Sequence, residues 1–231
     1  MTDSSKKPGK SSRPSINKEY YPVFLDISGK RCFVIGGGRV AERKCAPLVK
    51  AGARVTVISP EISPLLERYK KKGLLSHLRR NYRTGDIKCA SLAIAATDSA
   101  DINRKVVSDA SAYRVLLNVV DSPSLCNFIV PSVLRQGPLT IAVSSGGVSP
   151  AMSRSIRKRL GGLYGNDFSK YLKFLGGVRF RVMEEMQDRK KRGLLLKALA
   201  SDEMIEILLR KGFHAARRAA LGLLQNKGIA L

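Results

Sequence analysis

Residues 32–44, CFVIGGGRVAERK, constrain this chain more than any other stretch. Phe33-Val34-Ile35 is a short apolar run suited to a central parallel strand. Three glycines follow at once, and a helix is expected from Val40 to Lys50, stopped at Ala51-Gly52. Gly36-x-Gly38-x-x-Ala41 has the spacing of a dinucleotide-binding turn. The first glycine permits the bend, the second lets the backbone approach a pyrophosphate, and a small third residue lets the helix pack on its strand. Gly36, Gly37, Gly38, Arg39 and Val40 are therefore candidate cofactor contacts, because free N–H groups and the helix dipole both favour an anion there. A plain strand-to-helix turn would use the same glycines, so context has to decide. Arg54-Val55-Thr56-Val57-Ile58 supplies it as a second β-branched strand, which completes a βαβ unit of about 30 residues.

One position departs from the pattern. The acid that would hold a ribose 2′-hydroxyl is missing at the end of the second strand, where Ser59-Pro60 stands and Glu61 comes late. Ser59, Pro60 and Glu61 remain the candidates for that end of the cofactor, and Arg39 or Arg54 is placed to meet a 2′-phosphate. The residues alone leave NAD and NADP both open.

Further along, a helix is expected over Pro60–Lys72 and a strand over Leu75–Arg80. A buried strand at Leu92–Ala96 should end at Thr97-Asp98, an N-cap pair for a helix over Ala100–Tyr113. Val115–Val120 reads as the next strand, ending at Asp121-Ser122-Pro123. Ile129–Arg135 and Leu139–Ser144 read as two last strands turning at Gln136-Gly137-Pro138. Strands alternating with helices argue an α/β fold with an open, mostly parallel, Rossmann-like sheet. After Pro150 the chain reads as helices alone: Ala151–Leu160, Phe168–Leu175, Val178–Arg192, Leu194–Leu199, Asp202–Lys211 and Phe213–Gln225. Breaks are expected at Gly161-Gly162 and Gly176-Gly177. The expected domains are a disordered basic tail over 1–19, a dinucleotide-binding domain with a strand extension over 20–149, and a helical dimerisation or substrate-covering module over 150–231. Leu172, Leu175, Leu195, Leu199, Ile205 and Leu208 are the apolar positions expected to meet a second copy.

Composition narrows the classes. No apolar run is long enough to span a bilayer, and the N-terminus lacks the apolar middle of a signal peptide, so no membrane partner and a cytoplasmic location are expected. Cys32, Cys45, Cys89 and Cys126 are far apart without a neighbouring His, which points to free buried thiols and to no metal site. His77 and His214 read as surface or boundary residues. The net charge of +24, from 42 Lys and Arg against 18 Asp and Glu, is spread along the chain. It suits a solvated basic surface, a nucleic acid or a small polyanion. With 6% aromatic residues, no Trp and no nucleic-acid-binding signature, nucleic acid is not the expected partner.

Five segments together resemble one family: FVIGGGRVAERK (33–44), LAIAATD (92–98), NVVD (118–121), FIVPS (128–132) and VSSGGVSP (143–150). In order and spacing they are similar to precorrin-2 dehydrogenase, the dehydrogenase/ferrochelatase part of siroheme synthase. The likeness covers about residues 20–160 well and the helical tail loosely. It implies oxidation of precorrin-2 to sirohydrochlorin with NAD as cofactor, and in some members insertion of ferrous iron to give siroheme. The methyltransferase segment of some siroheme synthases has no counterpart before Leu231, so a stand-alone enzyme is expected. The family's key acid falls on Asp121, at a strand end where such sheets hold ligands; as a general base it would take a proton while hydride leaves. The alternative for Asp121 is a simple turn residue. Asn118 and Thr97 line neighbouring strand ends. Ser144, Ser145 and Gly146, in a polar glycine loop, are candidates for the substrate's carboxylates through backbone N–H groups; their alternative is a connector whose Ser149 caps the next helix. Ser145 matches a serine that is phosphorylated in some members. The polycarboxylate substrate gives the basic chain a small-molecule partner, and the helical module implies a homodimer.

Overall fold

The computed structural model describes residues 19–229. The tail expected to be disordered therefore lies almost wholly outside the described residues. The chain divides into two compact units, Met1–Val130 and Pro131–Leu231.

The first unit is a five-stranded parallel sheet. Its strands are β1 (Arg31–Ile35), β2 (Arg54–Ile58), β3 (Leu75–Leu78), β4 (Leu92–Ala95) and β5 (Leu116–Val119), in the spatial order β3-β2-β1-β4-β5. Strand order reverses between β1 and β4, which makes their C-terminal ends the switch point of a doubly wound sheet. Alternation along each strand sorts the core into two faces. Cys32, Val34, Val55, Val57, Leu92 and Ile94 pack with Ala41, Cys45 and Leu48 of α1 (Arg39–Lys50) and Leu66 of α2 (Pro64–Lys71). Ile35, Ile58, Ala93, Ala95, Leu117 and Val119 pack on the other face, with Val106 and Ala110 of α3 (Ala100–Ala112).

Two boundaries differ from expectation for local reasons. Helix α2 starts at Pro64 rather than Pro60, because the Ser63 side chain caps it and the Ser63 N–H donates to the Gly37 carbonyl at 2.9 Å, which commits 59–63 to the glycine turn. Helix α3 is capped by Ser99, not by Thr97-Asp98; Thr97 Oγ1 instead accepts from the Ser99 N–H at 3.2 Å.

In the second unit, β6 (Ser132–Gln136) and β7 (Leu139–Val143) pair antiparallel as a sheet of their own and pack on the unit's helices. The hairpin thus groups with the helices, in the compact unit that begins at Pro131. Helix α4 (Pro150–Leu163) runs straight through Gly161-Gly162, and α5 (Asn166–Glu185) through Gly176-Gly177. Burial overrides the glycine penalty in α5, where Tyr171, Val178 and Val182 form one buried stripe on both sides of the pair. After α6 (Arg189–Ala198), α7 (Asp202–Gln225) kinks at Gly212, whose φ of +76° separates the two helical stretches the sequence suggested. Leu195, Leu199 and Leu208, expected at a dimer contact, are buried inside this unit with Tyr171 and Leu224. Among the described residues no helix is long and apolar enough to cross a membrane.

Candidate functional site

A ladder of backbone bonds aligns the C-terminal strand ends. The Gly36 N–H donates to Ile58, Ala96 to Ile35, and Val120 to Ala95, at 2.9, 2.7 and 2.9 Å. On this edge the three glycines have separable reasons. Gly36 has a φ of +115°, and a Cβ there would lie 2.1 Å from the Ala96 carbonyl oxygen. A Cβ on Gly37 would lie 1.9 Å from the Glu61 carbonyl oxygen. The fold itself demands both. A Cβ on Gly38 would meet nothing within 4 Å, and its φ of −84° suits any residue. No protein contact accounts for Gly38.

Gly38 is also the N-cap of α1 and, like Gly165 of α5, offers no capping side chain, whereas α2, α3, α4, α6 and α7 are capped by Ser63, Ser99, Ser149, Asp188 and Ser201. The N–H groups of Arg39, Val40 and Ala41, the first turn of α1, are left pointing out of the switch point without a capping partner. Open space at Gly38 and an uncapped helix start fit the pyrophosphate of a dinucleotide. Ala41 is fully buried against the sheet, as the third position of the motif requires.

The other cofactor candidates cluster around this turn. Ser59 Oγ lies 2.9 Å from the Cβ position of Gly37, Glu61 abuts it through its carbonyl, and Pro60 lies between them. The Ser59 carbonyl is held by His77 Nε2 at 2.8 Å. Thr97 follows Ala96 past the end of β4, its carbonyl held by Asn103 Nδ2 at 3.2 Å. Arg54 is ruled out as a phosphate ligand, since it begins β2 beside Arg31, at the opposite end of the sheet from the glycine turn.

Asp121 lies two residues beyond β5 on the same edge, with a left-handed φ of +58°. Its surroundings include a lysine, Lys44, that the sequence motifs did not mark. Burial pushes the Lys44 ammonium below the usual lysine range, Arg43 pushes it further down, and Asp121 then Cys126 pull it back up. Lys44, one helical turn along the buried Ala41–Cys45–Leu48 stripe of α1, therefore senses the Asp121 carboxylate. Nothing in the local pattern marks it, because RK pairs on helices are ordinary; the packing of Val120 and Phe128 against the face that holds Ala41 and Cys45 brings the two segments together.

Asn118 is buried, and its Nδ2 donates to the Phe128 carbonyl at 3.2 Å and to Cys126 Sγ at 3.5 Å. Its amide nitrogen holds its own loop. Of the cysteines, Cys32, Cys45 and Cys126 are buried as expected, while Cys89 is exposed, and none of the four is in a disulfide. Burial raises the Cys32 and Cys45 thiols to about 11 and about 12, which leaves them unreactive. Among the described residues no group of His, Cys, Asp or Glu could hold a metal ion.

Ser144, Ser145 and Gly146 belong to the second unit, between β7 and α4. Gly146 and Gly147 have φ of +63° and +91° with open space at both Cβ positions. Ser145 Oγ accepts from the Ser149 N–H at 2.9 Å, and Ser149 caps α4 through the Met152 N–H at 3.2 Å. The connector reading holds for Ser149, and the backbone of 144–147 is exposed or half-buried.

Residues 23–132 match the family model described as "Putative NAD(P)-binding", and residues 136–163 match the one described as "Sirohaem biosynthesis protein central". The siroheme synthase of Methylobacillus flagellatus is 37% identical over 210 residues, covering 91% of this chain and 45% of that protein. That of Nitrosococcus oceani is 40% identical over 168 residues, covering 73% and 36%. The chain thus spans under half the length of the curated relatives it matches. The solved structure of SirC, a precorrin-2 dehydrogenase, shares the fold, with a TM-score of 0.74 at 24% identity over 89% of this chain and 100% of that one.

Proposed function

We propose, from its membership of the siroheme synthase family, that this chain oxidises precorrin-2 to sirohydrochlorin with NAD. One observation carries the reading. A single sheet edge holds an uncapped helix start with open space at Gly38 and, two strands away, an acid in a left-handed turn. When bound, the dinucleotide supplies the hydride acceptor. Gly38 leaves room for its pyrophosphate, the N–H groups of Arg39, Val40 and Ala41 bond it, and Gly36 and Gly37 shape the turn. Ser59, Pro60 and Glu61 beyond β2 would hold the cofactor on one side of the turn, and Thr97 beyond β4 on the other. Asp121 takes the proton that the tetrapyrrole gives up as hydride leaves, and returns it to water.

Asn118 holds the Asp121 segment in place through the Phe128 carbonyl and Cys126 Sγ. Ferrous iron enters as a second substrate, with Asp121 accepting pyrrole N–H protons. Exposed Met152 and Leu163 on α4 and Phe180 and Met183 on α5, between 46% and 66% accessible, support a homodimer through the helical unit.

Anaerobic incubation of the purified chain with precorrin-2 and NAD⁺ tests the proposal: NADH and sirohydrochlorin should appear together in absorbance. No turnover of the folded protein rejects it. Asp121→Asn should lower the rate by about 100- to 10,000-fold with NAD affinity unchanged. Iron insertion, assayed separately on sirohydrochlorin, should fall in the same variant.

A further inference from the structure

Strand β5 is the edge of its sheet, and an open edge needs cover. Residues 126–128 provide it. The Asn127 N–H donates to the Leu117 carbonyl at 3.1 Å, Asn127 Oδ1 accepts from the Leu117 N–H at 2.7 Å, and Asn127 Nδ2 donates to the Val115 carbonyl at 2.9 Å. The chain thus leaves β5 at Val119, turns through Asp121 and one 3-10 turn at Pro123–Leu125, and returns along the strand it left. Cys126 stands where the loop closes. Its buried Sγ accepts from the Val119 N–H at 3.2 Å, and its S–H faces the Val119 carbonyl at 3.2 Å and the Ser122 carbonyl at 3.3 Å. It therefore grips both ends of the four-residue stretch 119–122 that holds Asp121 at its φ of +58°.

Left-handed backbone at a residue with a Cβ persists where neighbours over-determine it. The stretch around Asp121 has one backbone bond of its own, Ser122 N–H to the Val119 carbonyl, at a long 3.3 Å. A sulfur suits the closure, since its reach spans two carbonyls and an N–H at 3.2–3.3 Å, and it remains a small hydrophobe in the buried cluster with Val119 and Leu117.

We infer that Cys126 is a positioning residue: its thiol fixes the turn that aims Asp121, and it acts on the reaction through that carboxylate alone. This rests on the proposed role of Asp121. Cys126→Val keeps an apolar side chain of similar volume and removes the sulfur's bonds, whereas Cys126→Ser keeps a donor and an acceptor. In precorrin-2 turnover with NAD⁺, Cys126→Val should lower kcat by about 10- to 100-fold, the size expected for a misplacement near 1 Å. KM for precorrin-2 and NAD affinity should change little, and Cys126→Ser should recover most of the loss. In an Asp121→Asn background, Cys126→Val should cost nothing further.

Each failure has its own signature. Wild-type kcat in Asp121→Asn rejects the role of Asp121 itself. Loss in Asp121→Asn with near wild-type kcat in Cys126→Val overturns the positioning inference alone. Equal loss from Cys126→Val in both backgrounds makes Cys126 a packing residue and also overturns it. If Cys126→Val does not fold, Cys126→Ala is compared with Cys126→Ser in the same two backgrounds, with the same outcomes decisive.

Discussion

A methyl group at Gly36 would sit 2.1 Å from the Ala96 carbonyl oxygen, and one at Gly38 would touch no protein atom within 4 Å. Substitution should separate the two completely. Gly36→Ala, strained both by that overlap and by its φ of +115°, should lower stability by more than about 2 kcal/mol, read from denaturant midpoints. Gly38→Asp should leave the midpoint nearly unchanged while NAD affinity in calorimetry falls by at least about tenfold, because a carboxylate then stands where the pyrophosphate approaches. Affinity within a few-fold of wild type would remove Gly36–Ala41 as the cofactor loop. Residue by residue, the glycine turn of the candidate site was legible in spacing, whereas Asp121 stood out only through the family resemblance, since its position alone equally suits a turn residue. The site was not legible at Lys44 and Cys126. Their neighbours come from segments tens of residues away, and no local pattern encodes a half-buried ammonium or a thiol that closes a loop.

Among elements, the β-branched and apolar runs mark β1, β2, β4 and β5 as buried strands, because a buried parallel strand must be apolar on both faces. What the runs do not encode is allegiance. The β6–β7 hairpin looks like more sheet in sequence but pairs only with itself among the described residues, and packs on α4 and α5. The glycine pairs mislead in the other direction. Gly176 and Gly177 read as a helix stop, yet α5 crosses them with neither in left-handed backbone and with open space at both Cβ positions. Glycine in a helix costs about 0.5–1 kcal/mol relative to alanine. Gly176→Ala combined with Gly177→Ala should therefore raise stability by about 1–2 kcal/mol in urea unfolding, provided the helix continues unbroken. A loss would mean that these glycines meet a close neighbour, such as a second copy of the chain, since among the described residues nothing lies within 4 Å of either Cβ position.

For the molecule as a whole, a charge of +24 is a kinetic statement before it is a structural one. Helix α4 alone carries Arg154, Arg157, Lys158 and Arg159 and no acid, so the excess is not locally neutralised there. Charge of one sign raises the encounter rate with an oppositely charged small molecule by about 10- to 1,000-fold, and salt removes the gain. The screening length shrinks from about 30 Å at 0.01 M to about 3 Å at 1 M ionic strength. A polycarboxylate such as precorrin-2, turned over with saturating NAD⁺, should then show kcat/KM falling by at least about tenfold across that range. Because steering acts on encounter and not on the bound complex, kcat should hold nearly constant, and the loss should appear in KM. An uncharged crowding agent of matched viscosity should not reproduce it. If kcat/KM is flat with salt, the basic surface does not serve this substrate, and the charge has to be assigned to a larger polyanion instead.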